Sequence, residues 1–512
     1  MNPKDISRRE FLKLMGIGGG AALLNGCLPA RLTALRFPPA AIPAAFTPDV
    51  EIALRAVEGE EQILPGKATR VRRYQAEVIK GPAEAARALP DSYLGPVFTL
   101  QRGQRVRVHF NNELPEESVV HWHGLHVPPE ADGHPRLAIQ PGETYVYNFT
   151  VADRAGTYWF HPHPHGRTGP QVYAGLAGLF VIHDDEETGL GLPSGKYDVP
   201  LVIQDRTFDG DNQLVYDGQN MMGQMVGFLG NRVLVNGQPD FTLPAVSGAY
   251  RLRLLNGSNS RIYKLGWEDG TPLTVIGTDG GLLEKPLQKE YITFAPAQRV
   301  DLWANFSGRA DGDQPRLVNQ PSAAPGGDVL FPVLRVKVDR LEDSAPTLPE
   351  RLPTIRGQVE GEAANRSSPR SFALEMGRMM RWTINGRTFE MMETARDEVV
   401  RLGDLEVWQF TNQTGGGMGM MGGGMELPPP MHIHGLQFQV LERQVNQAGR
   451  AAWETLSDGF VDEGWHDTVL VMPGESVKIL LKFEDFTGLY LYHCHNLEHE
   501  DMGMMRNYRV EV

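Results

Sequence analysis

Along most of the chain, apolar and polar positions alternate with a period of two. Arg105-Val106-Arg107-Val108-His109-Phe110 and Tyr145-Val146-Tyr147-Asn148-Phe149 are clear runs, bounded by Gly, Pro and Asn. Successive side chains of a strand point to opposite faces, so such runs predict strands of β-sandwiches buried on one side. The segments Asn231-Arg232-Val233-Leu234-Val235-Asn236-Gly237 and Ala295-Pro296-Ala297-Gln298-Arg299-Val300-Asp301-Leu302 read as strands too. The fold class this pattern predicts is all-β.

The first thirty residues differ. Ser7-Arg8-Arg9-Glu10-Phe11-Leu12-Lys13 precedes a weakly apolar stretch, Leu14 to Leu24, and then Leu24-Asn25-Gly26-Cys27. That stretch is too short and too Gly-rich to span a bilayer. It resembles a bacterial twin-arginine signal peptide (residues 1–29) ending in a lipobox, which implies export to the periplasm or cell envelope. Acylation of Cys27 would anchor the chain to a membrane, although Asn25 is not the small residue usual before such a cysteine. An Ala/Pro-rich tether, residues 30–48, follows.

The mature chain contains an internal repeat. Pro141-Gly142-Glu143, Gly156, Tyr158, His161 and His163 recur at Pro473-Gly474-Glu475, Gly488, Tyr490, His493 and His495, offset by 332 residues without a gap. His121-Trp122-His123-Gly124 is echoed by His432-Ile433-His434-Gly435. Two β-domains, each with two His-x-His pairs, are therefore expected to flank a segment with no histidine between His183 and His432. The expected boundaries are 49–192, 193–355 and 356–512.

Composition agrees and removes alternatives. A chain of 512 residues exceeds one core at ~150 residues per domain, and 57 Gly with 37 Pro suit many turns and short strands. The net charge of −14 works against binding nucleic acid. With only Cys27 and Cys494, a disulfide framework is excluded. If Cys27 leaves with the signal or is acylated, Cys494 is the one thiol left in an oxidising compartment, and a bound metal would keep it reduced.

On a strand, residues i and i+2 share a face, so each His-x-His pair presents two imidazoles side by side. Four pairs offer eight nitrogen ligands, enough to give a few Cu, Zn, Fe or Ni ions two or three each. The repeat places this cluster between the first and last domains. The last pair encloses the thiol as His493-Cys494-His495, with His499 and Met504 following. Thiolate, imidazole and thioether form a soft donor set that selects copper, and Cys494 would give a short covalent path from that copper to the cluster.

These motifs resemble those of the three-domain bacterial multicopper oxidases, with the laccases and cuprous (copper efflux) oxidases as near relatives. The resemblance implies three consecutive cupredoxin-like Greek-key β-sandwich domains. It implies about four copper ions, with His121 and His432 as type 2 ligands. His123, His161, His163, His434, His493 and His495 would bind the type 3 pair, and Cys494, His499 and an axial Met504 the type 1 copper. It further implies one-electron oxidation of Cu(I) or of phenols and other small aromatic reductants, coupled to reduction of dioxygen to water, with Asp132 and Glu500 supplying protons. A monomer is expected.

One position departs from the family pattern. The segment before the third pair should read His-x-x-His-x-His-Gly, with a type 1 ligand at its first histidine. Here Pro429 stands at that position in Pro428-Pro429-Pro430-Met431-His432-Ile433-His434-Gly435. Three explanations stay open. A neighbour, Glu426 or a Met of the preceding loop, fills the place; the site binds copper poorly; or the proline is a recent or artificial change. If the site is impaired, the alternative function is a redox-silent copper-binding or scaffold protein of the same fold.

Methionines cluster at Met376-Gly377-Arg378-Met379-Met380, Met391-Met392 and Met418 to Met425. The first group reads as core packing. The Gly-rich last group predicts an exposed loop suited to Cu(I), with Met425 and Glu426 as candidate substrate residues. His466 is a candidate stand-in ligand. The other histidines, at 109, 126, 134, 165 and 183, read as structural or exposed.

Overall fold

The structure, a computed structural model, describes residues 46–218, 220–341, 346–377, 381–413 and 428–512. The signal-like segment with Cys27, most of the tether, Met379, Met380, the Met418 to Met425 cluster and Glu426 lie outside the described residues.

Three pairs of β-sheets follow one another along the chain. Strands between Val50 and His183 form a four- and a five-stranded sheet. Those between Asp198 and Leu341 form a seven- and a five-stranded sheet, and those between Arg370 and Glu511 two five-stranded sheets. The alternation in the sequence explains the packing: strand Arg105–Asn112 buries Val106, Val108 and Phe110 and leaves the residues between them partly exposed. Strand Val50–Glu61 pairs antiparallel with Thr69–Lys80 and parallel with Arg105–Asn112, a crossover that a simple meander lacks. The fold is all-β, in three successive sandwiches.

Each sandwich closes on its own apolar core. Phe98, Trp122, Tyr147, Phe160 and Phe180 fill the first, Leu252, Tyr263, Val275 and Leu302 the second, and Phe372, Trp408, Ile479 and Tyr492 the third. Smaller clusters join them. Trp159 and Leu179 pack against Val202, Leu234 and Leu255, and Ile262 and Ala295 against Leu456, Leu470 and Met472. The middle sandwich is thereby fixed to both neighbours by burial of apolar surface, the main favourable term in such packing.

Strand pairing sets the positions of the motifs. Strand Val120–His123 runs antiparallel to Gly156–Pro162, with His121 opposite His161. Strand Pro430–Ile433 runs antiparallel to Gly488–Cys494, with His432 opposite His493 and Met431 opposite Cys494. Both pairs of segments therefore use the same register in their own sandwiches.

Candidate metal centre

All eight repeat histidines are buried and meet where the first sandwich faces the third. His121 Nε2 lies 3.3 Å from His432 Nε2. His163 Nε2 lies 3.3 Å and His434 Nε2 3.1 Å from His493 Nε2, which puts three ring nitrogens around one point. His123 Nδ1 is 3.4 Å from His161 Nε2, and the His495 ring sits 5.0 and 5.3 Å from the rings of these two. The cluster thus resolves into a pair from opposite sandwiches and two sets of three.

Outer hydrogen bonds fix which nitrogen five of the rings present. His121 Nδ1–H donates to the Asp132 carbonyl (2.6 Å), His161 to that of Pro162 (2.9 Å), His432 to that of Asp467 (2.8 Å) and His493 to that of Cys494 (3.0 Å). His434 Nδ1 is 2.8 Å from Asp132 Oδ2. Each leaves Nε2 with its lone pair turned inward. Such outer partners orient imidazole ligands and raise their basicity. Burial holds the rings neutral: His161 is lowered to about 3 and His493 to about 4, chiefly by loss of hydration. Neutral imidazole is the metal-binding form.

The donor set fits copper. His495 is buried with neither ring nitrogen hydrogen-bonded. Two idle polar atoms in a dry interior are costly, and a metal ion bound by one of them removes much of that cost.

On the other side of His493 and His495 lies the thiol. Cys494, buried and the one cysteine among the described residues, has Sγ 3.6 Å from His499 Nδ1 and accepts the Asn496 backbone N–H at 3.3 Å. His499 Nε2–H donates to the Met225 carbonyl (3.2 Å), so Nδ1 keeps its lone pair toward the sulfur. The Trp382 ring lies 4.4 Å from that of His499, and its Nε1–H donates to the same carbonyl at 3.4 Å. Met504 is fully buried in the core that contains Cys494. Its segment is zipped to the site by Cys494 N–H to Met504 O (3.0 Å) and Met504 N–H to His499 O (2.9 Å). Burial pushes the thiol pKa up, so a cation is needed to hold a thiolate there.

Among the described residues, no third imidazole, thiolate or carboxylate joins Cys494 and His499 in a possible metal group. Pro429 is buried, and its carbonyl accepts the Val471 N–H at 3.0 Å. His466 does not take the missing place. Its ring lies 3.7 Å from Asp279 Oδ2 and donates to the Glu463 carbonyl at 3.1 Å. Met425 and Glu426 lie outside the described residues. Met376 packs half-buried against the third core, whereas Met391 and Met392 are exposed.

Both expected carboxylates touch the cluster. Burial raises Asp132 to about 8, and its Oδ1 has no hydrogen-bond partner. Glu500 Oε1 lies 3.6 Å from His163 Nδ1 and accepts from Thr168 Oγ1 (2.9 Å), while its Oε2 is unpartnered. Burial, with Asp501 beside it, holds Glu500 well above the usual carboxylate range.

Several residues of the site escaped the sequence reading. Asp467 lies against His123 and His432 and is ion-paired to Arg299 of the middle sandwich. Glu498, next to His499, accepts from Tyr216 Oη, Asn259 Nδ2, Ser260 Oγ and the Phe228 N–H, all four from the middle sandwich. A usable signal existed: Asp467 follows His466, and Glu498 sits inside the Cys494 to Met504 segment.

Two family profiles described as "Multicopper oxidase" match residues 70–187 and 364–512. The chain is 32% identical over 441 residues to the multicopper oxidase mco of Staphylococcus aureus, covering 86% of this chain and 87% of that one. It is 30% identical over 472 residues to the laccase of Bacillus subtilis, covering 80% and 87%. The crystal structure of the McoA multicopper oxidase of Aquifex aeolicus superposes with a TM-score of 0.76 at 36% identity, covering 91% of this chain and 97% of that one. Likeness of this extent, reaching across both His-bearing sandwiches, shows that the chain belongs to the multicopper oxidase family of copper-binding, cupredoxin-like oxidoreductases.

Proposed function

We propose that the protein oxidises Cu(I) or phenol-type donors one electron at a time at the Cys494 side and reduces dioxygen to water within the histidine cluster. The observation that carries this reading is the placement of Cys494 between two cluster histidines, with its sulfur 3.6 Å from His499. The type 1 copper is assigned to Cys494, His499 and Met504, and type 2 copper to His121 and His432. The type 3 pair is assigned to His123, His161 and His495 for one ion and His163, His434 and His493 for the other. Copper held there would supply the redox chemistry, accepting single electrons at the thiolate and accumulating them for dioxygen in the cluster.

The chain's own groups do the rest. The three sandwiches bury every histidine of the cluster and exclude bulk water. Outer carbonyls and carboxylates hold the rings of His121, His123, His161, His432, His434 and His493 in the tautomer that binds metal. Asp132, raised to about 8, lies beside His434, and Glu500, held well above the usual carboxylate range by burial, lies beside His163, so each is placed to pass a proton inward. Exposed Met391 and Met392 offer soft thioethers, which favours Cu(I) among the donors. Export by the twin-arginine route to the periplasm or cell envelope, with lipid anchoring at Cys27, and action as a monomer complete the reading.

The test is copper loading followed by absorption spectroscopy and dioxygen uptake with Cu(I) and with a phenol. About four coppers per chain, an intense thiolate-to-copper band and dioxygen uptake are expected. Copper-loaded protein with neither band nor uptake would replace this reading with a redox-silent copper-binding protein.

A further inference from the structure

One member of the cluster is turned the opposite way to those whose tautomer a neighbour fixes. His123 directs Nδ1, not Nε2, at its neighbour His161, and its Nε2 lies 3.0 Å from Asp467 Oδ1 and 3.3 Å from Thr468 Oγ1. What settles this orientation comes from the middle sandwich, which contributes no histidine. Arg299 on strand Arg299–Asn305 is buried and spends its guanidinium on fixed partners. Nε donates to the Thr157 carbonyl (3.0 Å), Nη1 to the Ala297 carbonyl (2.9 Å) and Nη2 to the Asp279 carbonyl (3.1 Å). The remaining N–H groups fork onto Asp467, Nη1 to Oδ1 at 2.9 Å and Nη2 to Oδ2. Both oxygens of Asp467 accept from the Arg299 fork, and Oδ1 accepts from Thr468 Oγ1 (2.9 Å) as well, so Oδ1 meets His123 as an acceptor. His123 must then carry its hydrogen on Nε2 and present the Nδ1 lone pair.

Gly124 is an independent sign that this arrangement is built in. It has a φ of +90°, and a Cβ there would stand 2.5 Å from Asp467 Oδ2 and 2.9 Å from Arg299 Nη2. The residue after His123 is thus the one residue type that lets the ion pair come this close.

We infer that Arg299 is a positioning residue of the copper cluster: through Asp467 it locks His123 in the tautomer that offers Nδ1 to the metal. The inference rests on the copper-cluster reading above. It gives the histidine-free sandwich a role in metal binding, since the same Asp467 also accepts from His432 Nδ1 through its carbonyl.

The test uses the full chain and the variants Arg299→Gln, Arg299→Lys and Asp467→Asn. Nitrogen-15 NMR of histidine-labelled, copper-free protein reads the tautomers, chelator competition reads copper affinity, and thermal unfolding reads stability. The parent should show His123 as the Nε2–H tautomer. Arg299→Gln and Asp467→Asn should lose that signature and bind cluster copper about 10–100-fold more weakly, the usual cost of removing an outer partner of a metal ligand. Arg299→Lys keeps the charge but not the fork, and should recover part of the affinity. An unchanged His123 tautomer with unchanged copper affinity in folded Arg299→Gln overturns the inference, even if the thermal midpoint falls. Should Arg299→Gln fail to fold, the volume-conserving Asp467→Asn decides by the same two readouts. A parent chain that takes up no copper would sink the cluster reading, while the tautomer comparison would still judge the Arg299 lock.

Discussion

His499 is held from three directions: Met225 takes its Nε2–H, Trp382 covers its ring, and Cys494 faces its Nδ1. Pro429 directly precedes strand Pro430–Ile433. Met431 pairs with Cys494 across the strands, and alternation by two puts residue 429 on the same side of the sheet as Met431, toward the thiol. Pro429→His should therefore complete the site without disturbing the backbone bond from Val471, which uses the carbonyl of residue 429. The expected outcome is a stronger thiolate-to-copper band and turnover of Cu(I) raised by about tenfold or more, the scale on which contacts at a metal site act. Unchanged absorption and turnover would mean that another residue already supplies the ligand. The missing histidine was legible because a motif predicts its position. The residues that hold the ligands were not, since the partners of Glu498 lie 238 to 282 positions away in sequence. No local pattern encodes contacts of that span.

At the scale of elements, the short helix Leu497–Asp501 joins the thiolate segment to the middle sandwich. Asn496 caps it by accepting the His499 N–H at 3.3 Å, and Glu498 anchors it through four donors. Asn496→Ala should cost about 1 kcal/mol, as lost caps do, and weaken the thiolate-to-copper band because His499 begins to fray with the helix; urea unfolding and absorption measure the two effects. Glu498→Ala should cost more, about 3 kcal/mol, since it leaves buried donors without an acceptor. Strands were readable from the sequence where alternation and the repeat of 332 residues reinforced each other, as at His161 and His493. The part played by strand Arg299–Asn305 was not readable. It has no counterpart in the repeat, and its arginine acquires meaning only when the second sandwich packs against the other two.

For the whole molecule, the cluster is a seam between the first and third sandwiches, so stability and metal content are linked. Copper that binds the folded chain alone stabilises it, and stripping copper should lower the thermal midpoint in proportion to affinity and copper concentration. The copper-free protein should also be acid-sensitive. Burial lowers His161 to about 3, His493 to about 4 and His499 to about 3, so below pH 6.5 the unfolded chain takes up protons that the folded chain refuses. Stability is then lost as pH falls from about 6.5 toward 3. Asp132 acts in the opposite sense, because its raised pKa gives stability that is lost as pH rises from about 4 to about 8. The buried histidines with lowered pKa outnumber the buried carboxyls with raised pKa, so the midpoint should fall on acidification, and Asp132→Asn should steepen the fall. A midpoint that stays level from pH 6.5 to about 4.5 would contradict this balance.

The central claim is that electrons taken up beside Cys494 reach dioxygen in the cluster. Its most direct test is the ratio of Cu(I) oxidised to dioxygen consumed by copper-loaded protein, with hydrogen peroxide assayed alongside. Complete reduction to water predicts a ratio of about four with no peroxide released. A ratio near two with peroxide accumulating, or Cu(I) oxidation no faster than in copper-loaded Cys494→Ser, would contradict the account.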